Sequence, residues 1–286
     1  MTLQRDCKIL IIGLGLMGGS YAQALTDSGY EVGAIDRRQE SIDYALEHGL
    51  IRHGSTTVES GYIGGFDLVI FALYPRVLID WITQYQTLLK SGALLTDVTG
   101  VKCEVVYRIQ EQLRPDLEFV GAHPMAGREV YGVENATKAI FAGANYIVTP
   151  TARNTPEAVA MCEELGRILG FKTISRLSPE EHDEMIGFLS QLTHCIAVAL
   201  MTCKESHQLV DYTGDSFRDL TRIARLNDEM WSELFLLNKN ALLHQMKLFE
   251  KELDRLRSML ENNDTEGLRE MMKYSTSRRA LFDKKS

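Results

Sequence analysis

Residues 8–12 (KILII) form a short apolar run that stops at Gly13-Leu14-Gly15-Leu16-Met17-Gly18, and a segment with helical spacing, 17–28, begins inside that loop. Few local arrangements satisfy a strand, a G-x-G-x-x-G turn and a helix in immediate succession. The first glycine allows a tight turn, the second lets backbone N–H groups approach a pyrophosphate, and the third lets the helix pack closely on the strand. Asp36 closes the second apolar run, 31–35 (EVGAI), where a carboxylate accepts hydrogen bonds from ribose hydroxyls. The segment is therefore predicted to bind a dinucleotide through Gly13, Leu14, Gly15, Leu16, Met17, Gly18 and Asp36. A carboxylate at that place repels a 2′-phosphate, so NAD is expected rather than NADP. Arg37 and Arg38 follow Asp36, however, and either can meet such a phosphate.

The alternation continues. Apolar runs at 67–72, 93–96 and 118–121 are separated by helical spacing at 39–47, 76–90 and 103–113, which predicts a parallel sheet covered on both faces. A strand at 145–149, a helix at 155–169 and a strand at 172–175 are expected to extend that sheet. Beyond Ser175 no strand-like run survives. Ser178-Pro179-Glu180-Glu181 reads as a helix start, and 179–209 as one long, largely apolar helix. The expected fold class is thus an α/β doubly wound, Rossmann-type N-terminal domain over 1–176 with an all-α C-terminal domain over 177–286. In the latter, Leu242, Met246, Phe249, Leu253, Leu256 and Leu260 make a seam that wants another helix, from the same subunit or from a second one.

Composition narrows the functional class. Lys and Arg total 31 against 39 Asp and Glu, a net charge of −8, which disfavours a nucleic-acid partner. The cysteines Cys7, Cys103, Cys162, Cys195 and Cys203 are scattered and odd in number, as expected of reduced thiols in a cytoplasmic protein. Residues 9–26 and 185–203 carry no charge and are long enough to span a membrane. The glycines of the first and Ser190, Gln191, Thr193 and His194 in the second instead favour buried segments of a soluble core. No histidine or cysteine spacing suggests a metal site.

In a doubly wound sheet the ligand lies beyond the carboxyl ends of the strands, so the loops there are expected to carry the chemistry. Leu73 and Tyr74 follow one strand, Asp97 to Lys102 another, and Gly121 to Glu129 a third. Leu73, Tyr74, Thr99 and Arg37 are expected beside the cofactor. His123, on a glycine-flanked loop, can take a proton from a hydroxyl while hydride leaves the same carbon. In the helical part His194 and Ser190 share one helix face, whereas His182, near the helix start, is expected to point elsewhere and to be exposed. Arg218, Arg222 and Arg225 offer guanidinium forks for a carboxylate.

Five segments together, GLGLMGGS (13–20), DVTGVK (97–102), HPMAGRE (123–129), SPEEHDEMIGFLSQLTH (178–194) and FRDLTRIARLNDEMW (217–231), resemble the prephenate dehydrogenases and the related arogenate dehydrogenases. The resemblance covers roughly residues 8–280 in the same order. It implies NAD-dependent oxidative decarboxylation of prephenate to 4-hydroxyphenylpyruvate in tyrosine biosynthesis, or of arogenate to tyrosine, in a homodimer paired through the helical domain. It also implies His123 as the histidine that meets the ring hydroxyl, and Arg222 as a carboxylate-binding arginine supported by Asp219. His194, Trp231 and Glu129 fall where the family has substrate-pocket residues. Many members carry a serine where this chain has Gly100, which leaves Thr99 as the neighbouring hydroxyl for catalysis. Competition by tyrosine at the active site is compatible with this pattern. A dehydrogenase of small hydroxy acids would carry a lysine where Ser190 and His194 stand. A non-catalytic NAD-responsive binding protein would need the glycine loop but not His123 and Arg222.

Overall fold

The structure, a computed structural model, describes residues 3–128, 130–205 and 207–283. The first half alternates, and apart from β3 and α3 it does so as the sequence spacing predicts: β1 (Lys8–Ile12), α1 (Leu16–Asp27), β2 (Glu31–Ile35), α2 (Gln39–Glu47), β3 (His53–Ser55), α3 (Ser60–Ile63), β4 (Leu68–Phe71), α4 (Pro75–Tyr85), β5 (Leu94–Asp97), α5 (Cys103–Gln112) and β6 (Glu118–Met125). Then come β7 (Asn145–Thr149), α6 (Pro156–Ile168) and β8 (Thr173–Arg176). The sheet order is β3-β2-β1-β4-β5-β6-β7-β8. The chain leaves β1 for β2 on one side and returns to β4 on the other, so the crevice beyond their carboxyl ends is the topological switch point of the sheet.

Side chains of β1 alternate between two apolar layers, Ile9 and Ile11 facing one and Leu10 and Ile12 the other, as the two-residue period of a strand requires. The strands that expectation placed in the sheet are there, with two differences. β7 runs antiparallel to β6, and β8 is parallel to β7. The edge strand β3 reads His-Gly-Ser and is too short and too polar to show as an apolar run.

The helical part begins with α7 (Pro179–Ile186), opened by a capping box in which Ser178 accepts from the backbone N–H of Glu181 and Glu181 accepts from that of Ser178. It continues as a π-helical segment, Gly187–Leu192, into α8 (Thr193–Thr202). The expected single helix over 179–209 is corrected accordingly: it ends at Thr202, and a separate 3-10 turn follows at His207–Tyr212. Nor is its apolar length buried, since only 28% of the most apolar window of Pro179–Thr202 is covered within the chain. Next come α9 (Asp215–Thr221), a 3-10 turn at Arg222–Ala224, and α10 (Asp228–Leu237).

The chain forms two compact units, Met1–Lys239 and Asn240–Ser286. The secondary structure changes from strands to helices after Arg176, but the packing boundary falls later because residues 177–239 are bonded to the sheet domain. Asp183 of α7 accepts from the backbone of Lys102 and Cys103, and Glu233 of α10 accepts from the backbone N–H of Arg76. The second unit holds most of α11 (Lys239–Glu261) and α12 (Thr265–Arg279). Of the α11 seam, Leu242 is buried while Phe249, Leu253 and Leu260 are 38%, 52% and 60% exposed.

Candidate active site

The glycine loop is built around two positions that admit no side chain. Gly13 has φ +97° and a Cβ there would stand 2.5 Å from the carbonyl oxygen of Ala72; at Gly18 a Cβ would stand 1.9 Å from the carbonyl oxygen of Gly13. Gly15, by contrast, faces open space. No side chain caps the N-terminus of α1, which leaves its first N–H groups as donors for an anion. Asp36 fastens the loop, one carboxylate oxygen accepting from Leu14 N at 2.7 Å and the other from Arg38 N at 2.9 Å. Leu73 lies against Gly13, and Tyr74 caps the start of α4 with its hydroxyl 3.2 Å from Asn227 Nδ2. Arg37 is exposed beside Asp36.

One crossover away, a buried network fixes the loop after β5. Lys102 Nζ lies 2.6 Å from Asp97 Oδ2, and Asp97 Oδ1 accepts from the backbone N–H of Ala122, the residue before His123. Burial pulls the Lys102 pKa down, and the Asp97 carboxylate opposes it. Thr99 belongs to this network. Its hydroxyl contacts the Asp97 carboxylate and receives a hydrogen bond from Lys102 Nζ at 3.1 Å. The expectation that Thr99 offers its hydroxyl for catalysis is corrected, because the buried charge pair beside it claims that group.

His123 lies at the carboxyl end of β6, partly buried. Its Nδ1 is 2.8 Å from Nε2 of His182, whose Nδ1 is in turn 2.8 Å from Oδ1 of Asp183. The expectation that His182 is exposed is therefore also corrected: its side chain is wholly buried. Burial, with His182 and the Lys102 charge adding to it, holds the His123 pKa well below its ordinary value. Burial also lowers the pKa of His182, in spite of its hydrogen bond to Asp183. Both imidazoles are thus neutral at neutral pH. The Nε2 edge of His123 faces Gly100: a Cβ added there would stand 3.8 Å from it and 3.6 Å from Leu234 of α10.

α8 and α10 complete the surroundings. The rings of His194 and Trp231 lie 3.8 Å apart between centroids, and Trp231 packs into the same apolar layer as Leu73 and Leu234. His194 Nδ1 donates to the backbone carbonyl of Ser190, within the π-helical segment, at 2.8 Å. Asn238, buried, donates to the Asp183 carbonyl and to Gln191, which binds α7 to the end of α10. The structure therefore brings Gly100 against His123 and Leu234, and sets His194 on Trp231, which lies on the same helix as Leu234. Asp219 is exposed on α9 and Arg222 opens the turn that follows it. Glu129 lies outside the described residues. Among the described residues no group of histidine, cysteine and carboxylate side chains could hold a metal ion.

His182 and Asp183 are the residues that sequence reasoning missed. The one available signal was a His-Asp pair just after a capped helix start.

Residues 21–174 match the model of the prephenate dehydrogenase nucleotide-binding domain, and residues 178–274 that of the prephenate dehydrogenase dimerization domain. The chain belongs to the prephenate dehydrogenase family. A prephenate dehydrogenase of Bacillus subtilis is 31% identical over 275 residues, covering 94% of this chain and 74% of that one. A cyclohexadienyl dehydrogenase of Zymomonas mobilis is 28% identical, covering 95% and 94%. Among solved structures, prephenate dehydrogenase from A. aeolicus in complex with hydroxyphenyl propionate and NAD+ superimposes with a TM-score of 0.90 at 31% identity, covering 99% of this chain and 100% of that one.

Proposed function

We propose that this member of the prephenate dehydrogenase family oxidatively decarboxylates prephenate to 4-hydroxyphenylpyruvate with NAD, as a step of tyrosine biosynthesis. The observation that carries the reading is that His123 turns its Nε2 edge to Gly100 at the carboxyl end of the sheet that holds the glycine loop. NAD fits this chain's residues: α1 is uncapped, Gly15 leaves room above the backbone, and Asp36 stands at the end of β2. When bound, its nicotinamide supplies the hydride acceptor.

As C4 of the substrate gives up hydride, its hydroxyl shares its proton with His123 Nε2. The C1 carboxylate leaves as CO2, its bonding electrons complete the aromatic ring, and the phenol oxygen recovers the proton from His123. His123 thus acts as a base that needs no net proton exchange with water. Arg222, supported by Asp219, holds a substrate carboxylate; Trp231 and His194 flank the ring. Residues 1–176 serve the cofactor and 177–286 the substrate and subunit pairing, with the exposed apolar faces of α8 and α11 covered by a second copy. Tyrosine, which shares the phenol and carboxylate of the product, competes in the same pocket. The free thiols fit a cytoplasmic location.

NADH formation measured with prephenate and with arogenate, each against NAD and NADP, tests the reading. Turnover of prephenate with NAD is expected. Turnover confined to arogenate transfers the assignment to that substrate, and NAD binding without turnover of either overturns it in favour of a binding protein.

A further inference from the structure

The hydrogens between His123, His182 and Asp183 are fixed by counting donors. The Asp183 carboxylate takes the backbone N–H of Lys102 at 2.8 Å and of Cys103 at 2.8 Å, besides Nδ1 of His182. Burial raises its pKa, but the hydrogen bonds from His182 and these two N–H groups outweigh that, so it stays an ionised acceptor. Both backbone groups belong to the N-terminus of α5, whose dipole favours the negative charge. An acceptor-only partner requires the hydrogen of His182 on Nδ1. In the neutral ring Nε2 is then a lone pair, and the 2.8 Å contact with His123 closes only if His123 donates from Nδ1. A neutral His123 with its hydrogen on Nδ1 has a lone pair on Nε2, the edge that faces Gly100.

We propose that His182 and Asp183 are positioning residues for His123, holding it in the Nδ1–H tautomer so that its Nε2 accepts the proton of the substrate hydroxyl. This rests on the reading of His123 as the base. The opposite tautomer would present a donor where an acceptor is required, and it is the one a free neutral imidazole prefers. The chain Asp183–His182–His123 also spreads the positive charge that arrives with the proton, the role a carboxylate plays behind a catalytic histidine. In a chain with glycine at position 100, no side-chain hydroxyl at that position orients the ring from its other side. The orientation comes from behind, through α7 and the α5 N-terminus.

The test uses the full chain with 15N-labelled histidine, as wild type, His182→Leu and His182→Gln, with His123→Asn to assign the signals. Long-range 1H–15N spectra read the tautomer directly, and steady-state NADH formation from prephenate gives kcat and KM; thermal unfolding checks the fold of each variant. In the wild type, His123 is expected to show a protonated Nδ1 and an unprotonated Nε2. His182→Leu, which keeps the packing but offers no acceptor, should lower kcat about 10- to 100-fold with both KM values within about 3-fold, and should lose the single tautomer. His182→Gln, whose amide oxygen can accept from Nδ1–H, should recover kcat to within about 5-fold of wild type. A protonated Nε2 in the wild type overturns the proposal. So does a His182→Leu kcat within about 2-fold of wild type, or an equal loss in both variants. A wild type inert towards prephenate and arogenate would refute the functional reading, while the wild-type tautomer would still decide this one.

Discussion

Lys102 Nζ lies 2.6 Å from Asp97 Oδ2, and neither side chain has any exposure to solvent. Such a pair is expensive to desolvate, and its removal from one side is worse than its absence, because it strands a buried charge. Here Asp97 also receives the N–H of Ala122, so the pair anchors the strand that delivers His123. Lys102→Met is expected to destabilise the protein by about 3–5 kcal/mol in urea unfolding, and Asp97→Asn combined with Lys102→Met by clearly less than the sum of the single changes. A Lys102→Met variant within about 1 kcal/mol of wild type would mean that the loop is held by other contacts.

The family resemblance leads to the expectation of a serine at position 100, where this chain has glycine. A Cβ there meets Leu234 and His123 only at 3.6–3.8 Å, an ordinary contact distance, and the backbone is not in a glycine-only conformation. Gly100→Ser should therefore fold normally and place a hydroxyl within reach of His123 Nε2 or of the substrate oxygen. One added neutral hydrogen bond is worth about 0.5–1.5 kcal/mol, so kcat/KM for prephenate should rise roughly 2- to 10-fold. A fall in kcat/KM with unchanged thermal stability would show that the serine hydroxyl is in the wrong place here.

The glycine loop, the alternation of strands and helices in the sheet domain apart from β3 and α3, and the place of His123 could be read from the sequence, because each follows from local periodicity or a fixed motif. His182 could not. Its place near the helix start suggests exposure and its angular distance to His194 on a regular helix suggests another direction, but the π-helical segment Gly187–Leu192 lies between the two histidines and changes the phase. Its burial, moreover, depends on Asp183 meeting the N-terminus of α5, a contact between residues 80 apart or more. Thr99 failed for a related reason: a sequence shows a hydroxyl beside a charged pair but not which way it turns. The exposed apolar length of α8 shows as hydrophobicity in the sequence, which does not say whether its own chain or another covers it.

The two neutral imidazoles set a pH dependence with a definite sign. His123 and His182 both have folded pKa values below the ordinary ~6.5 that the unfolded chain retains. Below pH ~6.5 the unfolded state therefore binds more protons than the native state, and stability falls as the pH drops from there towards the folded values. Urea midpoints at pH 7 and pH 5 should show this loss, and His182→Gln should show less of it. The acid limb of kcat/KM, which reports protonation of His123 in the free enzyme, should likewise lie below pH ~6.5. An acid limb at or above that value, or one unchanged in His123→Asn, would refute the assignment of the base.

The seam of α11 leaves Phe249 and Leu253 38% and 52% exposed, apolar area that a second copy of the chain is expected to cover. Wild type should therefore sediment as a dimer at micromolar concentration. Leu253→Glu, which puts a charge on the seam, should shift the protein towards monomer. A wild-type monomer at these concentrations would leave the seam without its expected partner.

Arg222 opens the turn after α9, and as a guanidinium it can bind a carboxylate through two parallel hydrogen bonds. If it holds the substrate and takes no part in cofactor binding, Arg222→Ala should raise the KM for prephenate far more than that for NAD. The loss in kcat/KM should amount to about 2–4 kcal/mol, since a charge-assisted bidentate contact is removed from ground and transition states alike. Arg222→Lys should recover only part of it, because an ammonium keeps the charge but not the planar fork. Equal rises in both KM values would point to a general disturbance of the helical part, and an unchanged prephenate KM would move the carboxylate site to Arg218 or Arg225.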